Sequence, residues 1–113
     1  MKVEQQQHGN VLVLVPHGPL VREDSADFGA AVQAGAREQG GRVVLDMTNV
    51  PYLDSAGIEC LLAQCGSGDR VGSGRPRLAC LTETCREALD LTDVLPRVEV
   101  FDTVENAMRS LRR

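Results

Sequence analysis

Aromatic residues are scarce in this chain, which has no tryptophan and only Phe28, Tyr52 and Phe101 among its 113 residues. Its hydrophobic fraction of 42% still predicts a packed core, built mainly from Val, Leu, Ala and Ile. No apolar run approaches the roughly 20 residues that a membrane-spanning helix needs, so we expect no membrane insertion. The polar N-terminus lacks the pattern of a signal peptide, which predicts a cytoplasmic location.

The chain also lacks a cluster of basic residues that could bind nucleic acid. Its net charge is −4, and its arginines are scattered except for Arg109, Arg112 and Arg113. Positively charged side chains stabilise the C-terminus of a helix, so these three arginines are explained without a nucleic-acid site. Because binding to phosphates requires a clustered positive surface, we expect no direct nucleic-acid partner.

The four cysteines do not have the spacing of a metal or redox site. Cys60, Cys65, Cys80 and Cys85 include no pair separated by two residues, the spacing typical of zinc ligands and redox motifs. Free cysteines commonly pack as small hydrophobic residues. The sequence therefore predicts four reduced thiols, no metal and no cofactor.

Apolar patterns with periods of two and of 3.6 residues alternate along the chain. Strands are predicted over 2–7, 11–15, 43–47, 78–81 and 98–101, and helices begin near residues 24, 55, 83 and 103. Gly9-Asn10 suits a hairpin turn between the first two strands. The alternation predicts one α/β domain over residues 1–113, with a mixed sheet of four to five strands that includes the N-terminal hairpin. About four helices should lie largely on one face.

Side chains that can cap a helix N-terminus precede three of the predicted helices. They are Asp24 or Ser25, Thr82 or Thr84, and Asp102 in a capping box with Glu105.

The segment Asp54-Ser55-Ala56-Gly57 stands between a buried strand and an amphipathic helix. This position places Ser55 at or next to the helix N-cap, where backbone N–H groups lack partners and a phosphate would be favoured. Ala56 and Gly57 leave the first turn nearly bare of side chains, so a large partner could reach the Ser55 hydroxyl. An Asp-Ser pair at this place can also serve simply as a cap.

The whole chain resembles the STAS family, named for sulphate transporters and anti-sigma factor antagonists, and in particular its small stand-alone bacterial antagonists. In that family a strand ending in Leu-Asp leads through a turn to Asp-Ser-x-Gly and a helix. The matching residues here are Leu45-Asp46, Val50, Asp54-Ser55-Ala56-Gly57, Leu61-Leu62, 78–81, Arg86, Leu89, Leu91, Thr92, 98–101, Asp102 and Ala107.

The resemblance implies that a serine kinase of the GHKL type, itself the anti-sigma factor, phosphorylates Ser55. Unphosphorylated, the antagonist binds the kinase and frees the sigma factor, and phosphorylation ends that contact. A phosphoserine phosphatase would be a further partner. The implied partner-binding residues are Asp54, Ser55, Ala56, Gly57, Glu59, Gly18, Leu20 and Arg22.

Two segments depart from the family pattern. Many members have Gly-Glu-Leu-Asp after the second strand, whereas this chain has Gly18-Pro19-Leu20-Val21 and lacks the acidic residue after Leu20. The Gly/Ser-rich segment 66–74 replaces the usual end of the second helix, and its composition predicts higher mobility.

Two other functions are compatible with parts of the sequence. The chain could be a permanently docked STAS subunit of an ABC-type lipid transport complex or of a stress-signalling scaffold, in which Ser55 is not a phosphoacceptor. A hydrolase using Ser55 with His8 or His17 is not expected, because the sequence has no Gly-x-Ser-x-Gly motif and neither histidine is predicted near the helix start. We therefore expect a binding protein rather than an enzyme.

Overall fold

A computed structural model describes residues 1–66 and 75–111 of the chain. The strands are β1 (Lys2–His8), β2 (Val11–His17), β3 (Val43–Asp46), β4 (Arg77–Ala79) and β5 (Val100–Phe101). The helices are α1 (Arg22–Glu38), α2 (Ser55–Cys65), α3 (Glu83–Leu91) and α4 (Val104–Leu111), with a 3-10 turn at Leu95–Arg97. Gly66 ends α2, and the rest of the segment predicted to be mobile lies outside the described residues.

The five strands form one mixed sheet in which each strand pairs with its neighbour along the chain. Strands β1 and β2 are antiparallel, and β2, β3, β4 and β5 are successively parallel. Gly9 supplies the turn of the hairpin with a φ of 63°, a conformation that favours glycine. The predicted mixed sheet and N-terminal hairpin are confirmed.

Strand β2 is buried on both faces, and its side chains alternate between two separate apolar clusters. Leu12 and Leu14 pack into the cluster that contains the buried residues of α1, α2 and α3. Val11, Val13 and Val15 pack with the buried residues of α4 on the opposite face. Three helices therefore cover one face of the sheet and α4 covers the other, in agreement with the prediction of helices largely on one face.

Two of the predicted helix caps differ in the structure. Helix α1 begins at Arg22, earlier than expected, and its N-cap is Val21, which offers no side-chain hydrogen bond. Helix α4 is capped by Thr103, whose Oγ1 accepts a hydrogen bond from the Asn106 N–H at 3.0 Å, so Asp102 does not have this role. Thr82 caps α3 as predicted, by accepting from the Cys85 N–H at 3.2 Å.

The last two parallel strands are shorter than their apolar runs suggest. Strand β4 stops at Ala79 because Cys80 has a φ of 59°, which is outside the strand region. Residues 95–97 form the 3-10 turn and Val98 ends it, so that β5 begins only at Val100. The carboxyl ends of β2, β3, β4 and β5 meet at one edge of the sheet, where all four helices begin.

Candidate functional site

Helix α2 begins at Ser55, as the sequence predicts, directly after a capping aspartate. Asp54 has an extended backbone, with φ −99° and ψ −177°, and its Oδ1 accepts a hydrogen bond from the Gly57 N–H at 2.8 Å. Its carbonyl oxygen accepts the first intrahelical bond, from the Ile58 N–H at 2.9 Å. Asp54 is therefore the N-cap, and Ser55 is the first residue of the helix itself.

The same carboxylate also binds the start of α1. Asp54 Oδ2 accepts a hydrogen bond from the Arg22 N–H at 3.0 Å, which supplies the side-chain partner that Val21 does not. The pKa of Asp54 is held below its ordinary value, chiefly by the hydrogen bond from the Gly57 N–H. The N–H groups of Arg22 and Ala56 and the Arg22 guanidinium lower this pKa further, whereas desolvation of the carboxylate opposes them. One ionised carboxylate thus joins the N-termini of two helices.

Below this carboxylate, the loop before α1 and the loop before α2 pair through their backbones. Leu20 forms an isolated parallel bridge with Leu53. The Leu20 N–H donates to the Tyr52 carbonyl at 3.1 Å, and the Leu20 carbonyl accepts from the Asp54 N–H at 3.3 Å. The first turn of α2 packs so closely on this bridge that a Cβ at Gly57 would collide with the Leu20 carbonyl oxygen. A glycine is therefore required at position 57 for these loops to meet.

Two residues predicted to touch a partner are buried instead. The Leu20 side chain is fully buried in the core, and Gly57 is buried against the Leu20 backbone. Neither is accessible in this conformation, so the burial of these two residues speaks against a direct contact, and their role in partner binding stays a prediction. Both residues instead support the surface, because their packing fixes the position of the first turn of α2, which carries Ser55.

The remaining predicted contact residues lie at or near the surface. Arg22, Ser55 and Glu59 are exposed, whereas Ala56 and Gly18 are half-buried. Gly18 belongs to the loop before α1, and its N–H donates to the Asn49 carbonyl at 3.0 Å, across to the loop before α2. No hydrogen bond within the described residues involves the Ser55 hydroxyl.

Sequence reasoning assigned no role to Tyr52, which lies in the loop directly before α2. Its side chain is 50% exposed, although the chain has only three aromatic residues. The signal that could have identified it is its position between Pro51 and the polar start of α2, outside any apolar stripe. We call the exposed or half-exposed residues at this place the Ser55 surface: Arg22, Tyr52, Ser55, Ala56 and Glu59.

The loop that carries Tyr52 is also fixed from the side of α3. The Val50 carbonyl accepts a hydrogen bond from Thr82 Oγ1 at 3.2 Å and a weaker one from Cys85 Sγ at 3.2 Å.

Desolvation is the main cause that raises the pKa of the Cys85 thiol, and the Thr82 hydrogen bond opposes it. Desolvation also raises the pKa of the Cys60 thiol. These two thiols therefore resist ionisation, which makes them poor nucleophiles and poor metal ligands.

The two histidines considered for catalysis lie on the N-terminal hairpin. His17 Nε2 is 2.9 Å from Glu4 Oε1, though without the alignment of a hydrogen bond, and His8 Nε2 is 3.4 Å from Gln6 Oε1. Neither forms a hydrogen bond with Ser55.

Residues 1–66 and 75–111 contain no group of three or more His, Cys, Asp or Glu side chains arranged to hold a metal ion. Within the same residues, no helix has the length and apolar character to cross a membrane.

Comparison with known proteins gives a consistent result for the fold. The family model described as the STAS domain matches residues 2–107. An anti-sigma factor antagonist from Mycobacterium paratuberculosis has a TM-score of 0.80 at 18% identity, with 99% of this chain and 94% of that chain covered. No match to a curated protein was found.

Two further proteins of known structure are similar over nearly their whole length. An anti-sigma-factor antagonist (STAS) domain protein from Planctomyces limnophilus has a TM-score of 0.73 at 18% identity, covering 96% of this chain and 97% of that chain. The anti-sigma factor antagonist SpoIIAA of Bacillus, in its unphosphorylated form, has a TM-score of 0.74 at 16% identity, covering 98% and 96%. Its phosphorylated form has a TM-score of 0.60 at 16% identity, covering 98% and 100%. At these identities the likeness shows a shared fold.

Proposed function

Because the chain belongs to the STAS domain family, we propose that it is an anti-sigma factor antagonist that phosphorylation of Ser55 switches off. Unphosphorylated, it binds an anti-sigma factor kinase of the GHKL type through the Ser55 surface and thereby releases the sigma factor. The observation that carries the proposal is the placement of Ser55. Its side chain is exposed at the first residue of α2, and its hydroxyl has no hydrogen bond to other described residues.

The local geometry supports a phosphate at this residue and explains how it would act. A phosphoserine brings about −1.5 to −2 charges at neutral pH, and the N-terminus of α2 favours negative charge. The modified protein should therefore stay folded. The same charge lies next to the ionised Asp54, so burying both in a closely packed contact requires a large desolvation. Phosphorylation would then weaken partner binding without disturbing the fold.

The likeness to SpoIIAA supports the same proposal. That antagonist has a phosphorylated as well as an unphosphorylated form, and this chain shares the fold of both. The proposed cycle needs a second partner, a phosphoserine phosphatase that restores the binding form.

The test measures binding of a purified anti-sigma factor kinase of the GHKL type from the same organism, with and without ATP. Wild type should bind and be released by ATP, whereas Ser55→Ala should bind and stay bound. Ser55→Asp should bind weakly even without ATP. Ser110→Ala is the matched control, because Ser110 is an exposed serine on α4, on the opposite face of the sheet. It should be released by ATP as wild type is.

Mass spectrometry of the released protein should locate the phosphate on Ser55. Equal ATP-dependent release of wild type and Ser55→Ala would contradict the switch. Binding that ATP does not affect in either protein would instead indicate the permanently docked STAS subunit.

A further inference from the structure

The proposed direction of the switch limits the kind of surface that the kinase presents to Ser55. If a phosphate on Ser55 ends binding, the opposing surface cannot be strongly basic, since arginines and lysines bind phosphoserine more tightly than serine. Apolar contact is a source of attraction that a phosphate on Ser55 would not strengthen. This step rests on the proposed function, and it calls for an exposed apolar side chain close to Ser55.

Two large hydrophobic side chains are exposed in the described part of the chain, Tyr52 at 50% and Leu91 at 77%. Tyr52 lies in the loop between β3 and α2, three positions before Ser55. Leu91 is the last residue of α3, a helix of nine residues that begins at the same edge of the sheet as α2. At 1.5 Å per residue, Leu91 lies about 12 Å along α3 from that edge. Tyr52 is therefore the one of the two that lies with Ser55 at the edge of the sheet where the helices begin.

The backbone around Tyr52 is fixed on both sides. Its carbonyl accepts the Leu20 N–H at 3.1 Å, and the following residue, Leu53, forms the bridge with Leu20. Two positions earlier, the Val50 carbonyl is held by Thr82 and Cys85 of the α3 start. The backbone at Tyr52 therefore has little conformational freedom left to lose when a partner binds, and such preorganisation raises affinity.

We propose that Tyr52 is the aromatic anchor of the kinase contact, with its ring inserted into an apolar pocket of the kinase beside the residues that face Ser55. Tyrosine is among the residue types that dominate binding energy at protein interfaces. Its ring has a large apolar area for a side chain with few rotatable bonds. A phosphate on Ser55, three residues away, would oppose insertion of the ring. The phosphate would lie at the edge of the kinase pocket and would lose part of its hydration if the ring were inserted.

The experiment is isothermal titration of the same GHKL-type kinase, without nucleotide, into four versions of the full chain. Tyr52→Ala should weaken binding by about 30-fold or more, the loss typical of an interface hot spot. Tyr52→Phe should stay within about threefold of wild type, because it keeps the ring that fills the pocket. Leu91→Ala, the matched control, should bind as wild type does. Melting curves check the fold, which Tyr52→Ala should keep because the loop is held through backbone atoms.

Each other outcome has a distinct meaning. Equal affinity of Tyr52→Ala and wild type, or an equal loss in Leu91→Ala, would overturn the anchor while leaving the proposed function in place. Failure of wild type to bind the kinase would overturn the proposed function and the anchor with it. If wild type dimerises in sedimentation experiments and Tyr52→Ala does not, the ring covers a second copy of this chain, which also overturns the anchor.

Discussion

Helices α1 and α2 begin side by side at the same edge of the sheet, but they obtain their caps differently. Helix α2 follows its own capping residue, Asp54, whereas α1 follows Val21, which has no capping group. The second oxygen of Asp54 supplies α1 with the hydrogen bond it lacks. The comparison shows that α1, which has no capping side chain at position 21, obtains its side-chain hydrogen bond from the other loop. It also shows that Ser55 is placed by contacts between loops as well as by its own helix.

The largest effect should come from removing the close approach between these loops. Gly57→Ala would place a methyl group against the Leu20 carbonyl, a backbone atom that cannot move without breaking the Leu20–Leu53 bridge. We expect a loss of about 1–3 kcal/mol in the free energy of unfolding, measured by urea denaturation. Gly29→Ala in α1 is the control. A Cβ there meets only side-chain atoms, at 3.4 and 3.7 Å, so stability should change little. Equal stabilities of the two variants would contradict the close packing.

Removing the shared cap should have the next largest effect. Asp54→Ala takes a hydrogen bond from both helices, whereas Thr103→Ala removes the single side-chain cap of α4. Thr103→Ala should cost about 0.5–2 kcal/mol, the usual value for a cap, and Asp54→Ala should cost more. Hydrogen exchange should show faster exchange of both the Arg22 and the Gly57 amides in Asp54→Ala. Faster exchange of Gly57 alone would mean that α1 does not depend on this carboxylate.

The pH dependence of stability gives a finer test of the same carboxylate. Because its pKa is lowered in the folded protein, Asp54 stabilises the fold fully above its unfolded pKa of about 3.9, and this contribution is lost as pH falls through the lower folded value. The advantage of wild type over Asp54→Asn in unfolding free energy should therefore be constant near neutral pH and shrink under acid conditions. An advantage that grows below pH 4 would contradict a lowered pKa.

The smallest effect should come from Ser55 itself. Its hydroxyl makes no hydrogen bond to other described residues, and Asp54 provides the cap. Ser55→Ala should therefore change the free energy of unfolding by no more than about 0.5 kcal/mol, as expected of an exposed substitution. A larger loss in thermal or urea unfolding would show that Ser55 contributes to the cap.

The accuracy of the sequence predictions follows the range of the interactions involved. Local apolar periodicity predicts the strand and helix order, and the polar start at Asp54 correctly places α2 at Ser55. The roles of Leu20 and Gly57 depend on contacts between loops more than thirty residues apart, which no local pattern encodes. The cap of α1 was missed for the same reason, since its partner Asp54 is 32 positions away. Roles for Ser55, Arg22 and Glu59 in partner binding stay predictions.

The sequential strand order has a consequence for how the chain folds. Every strand of the sheet pairs with the strand that precedes or follows it in the chain, so each pairing needs only the segment between two consecutive strands. Short loop closures cost less entropy and are associated with faster folding. The bridge between Leu20 and Leu53 joins two consecutive β–α units, which span residues 11 to 65. We therefore expect the Ser55 surface at the α2 start to form early in folding, during or soon after synthesis of the first half of the chain.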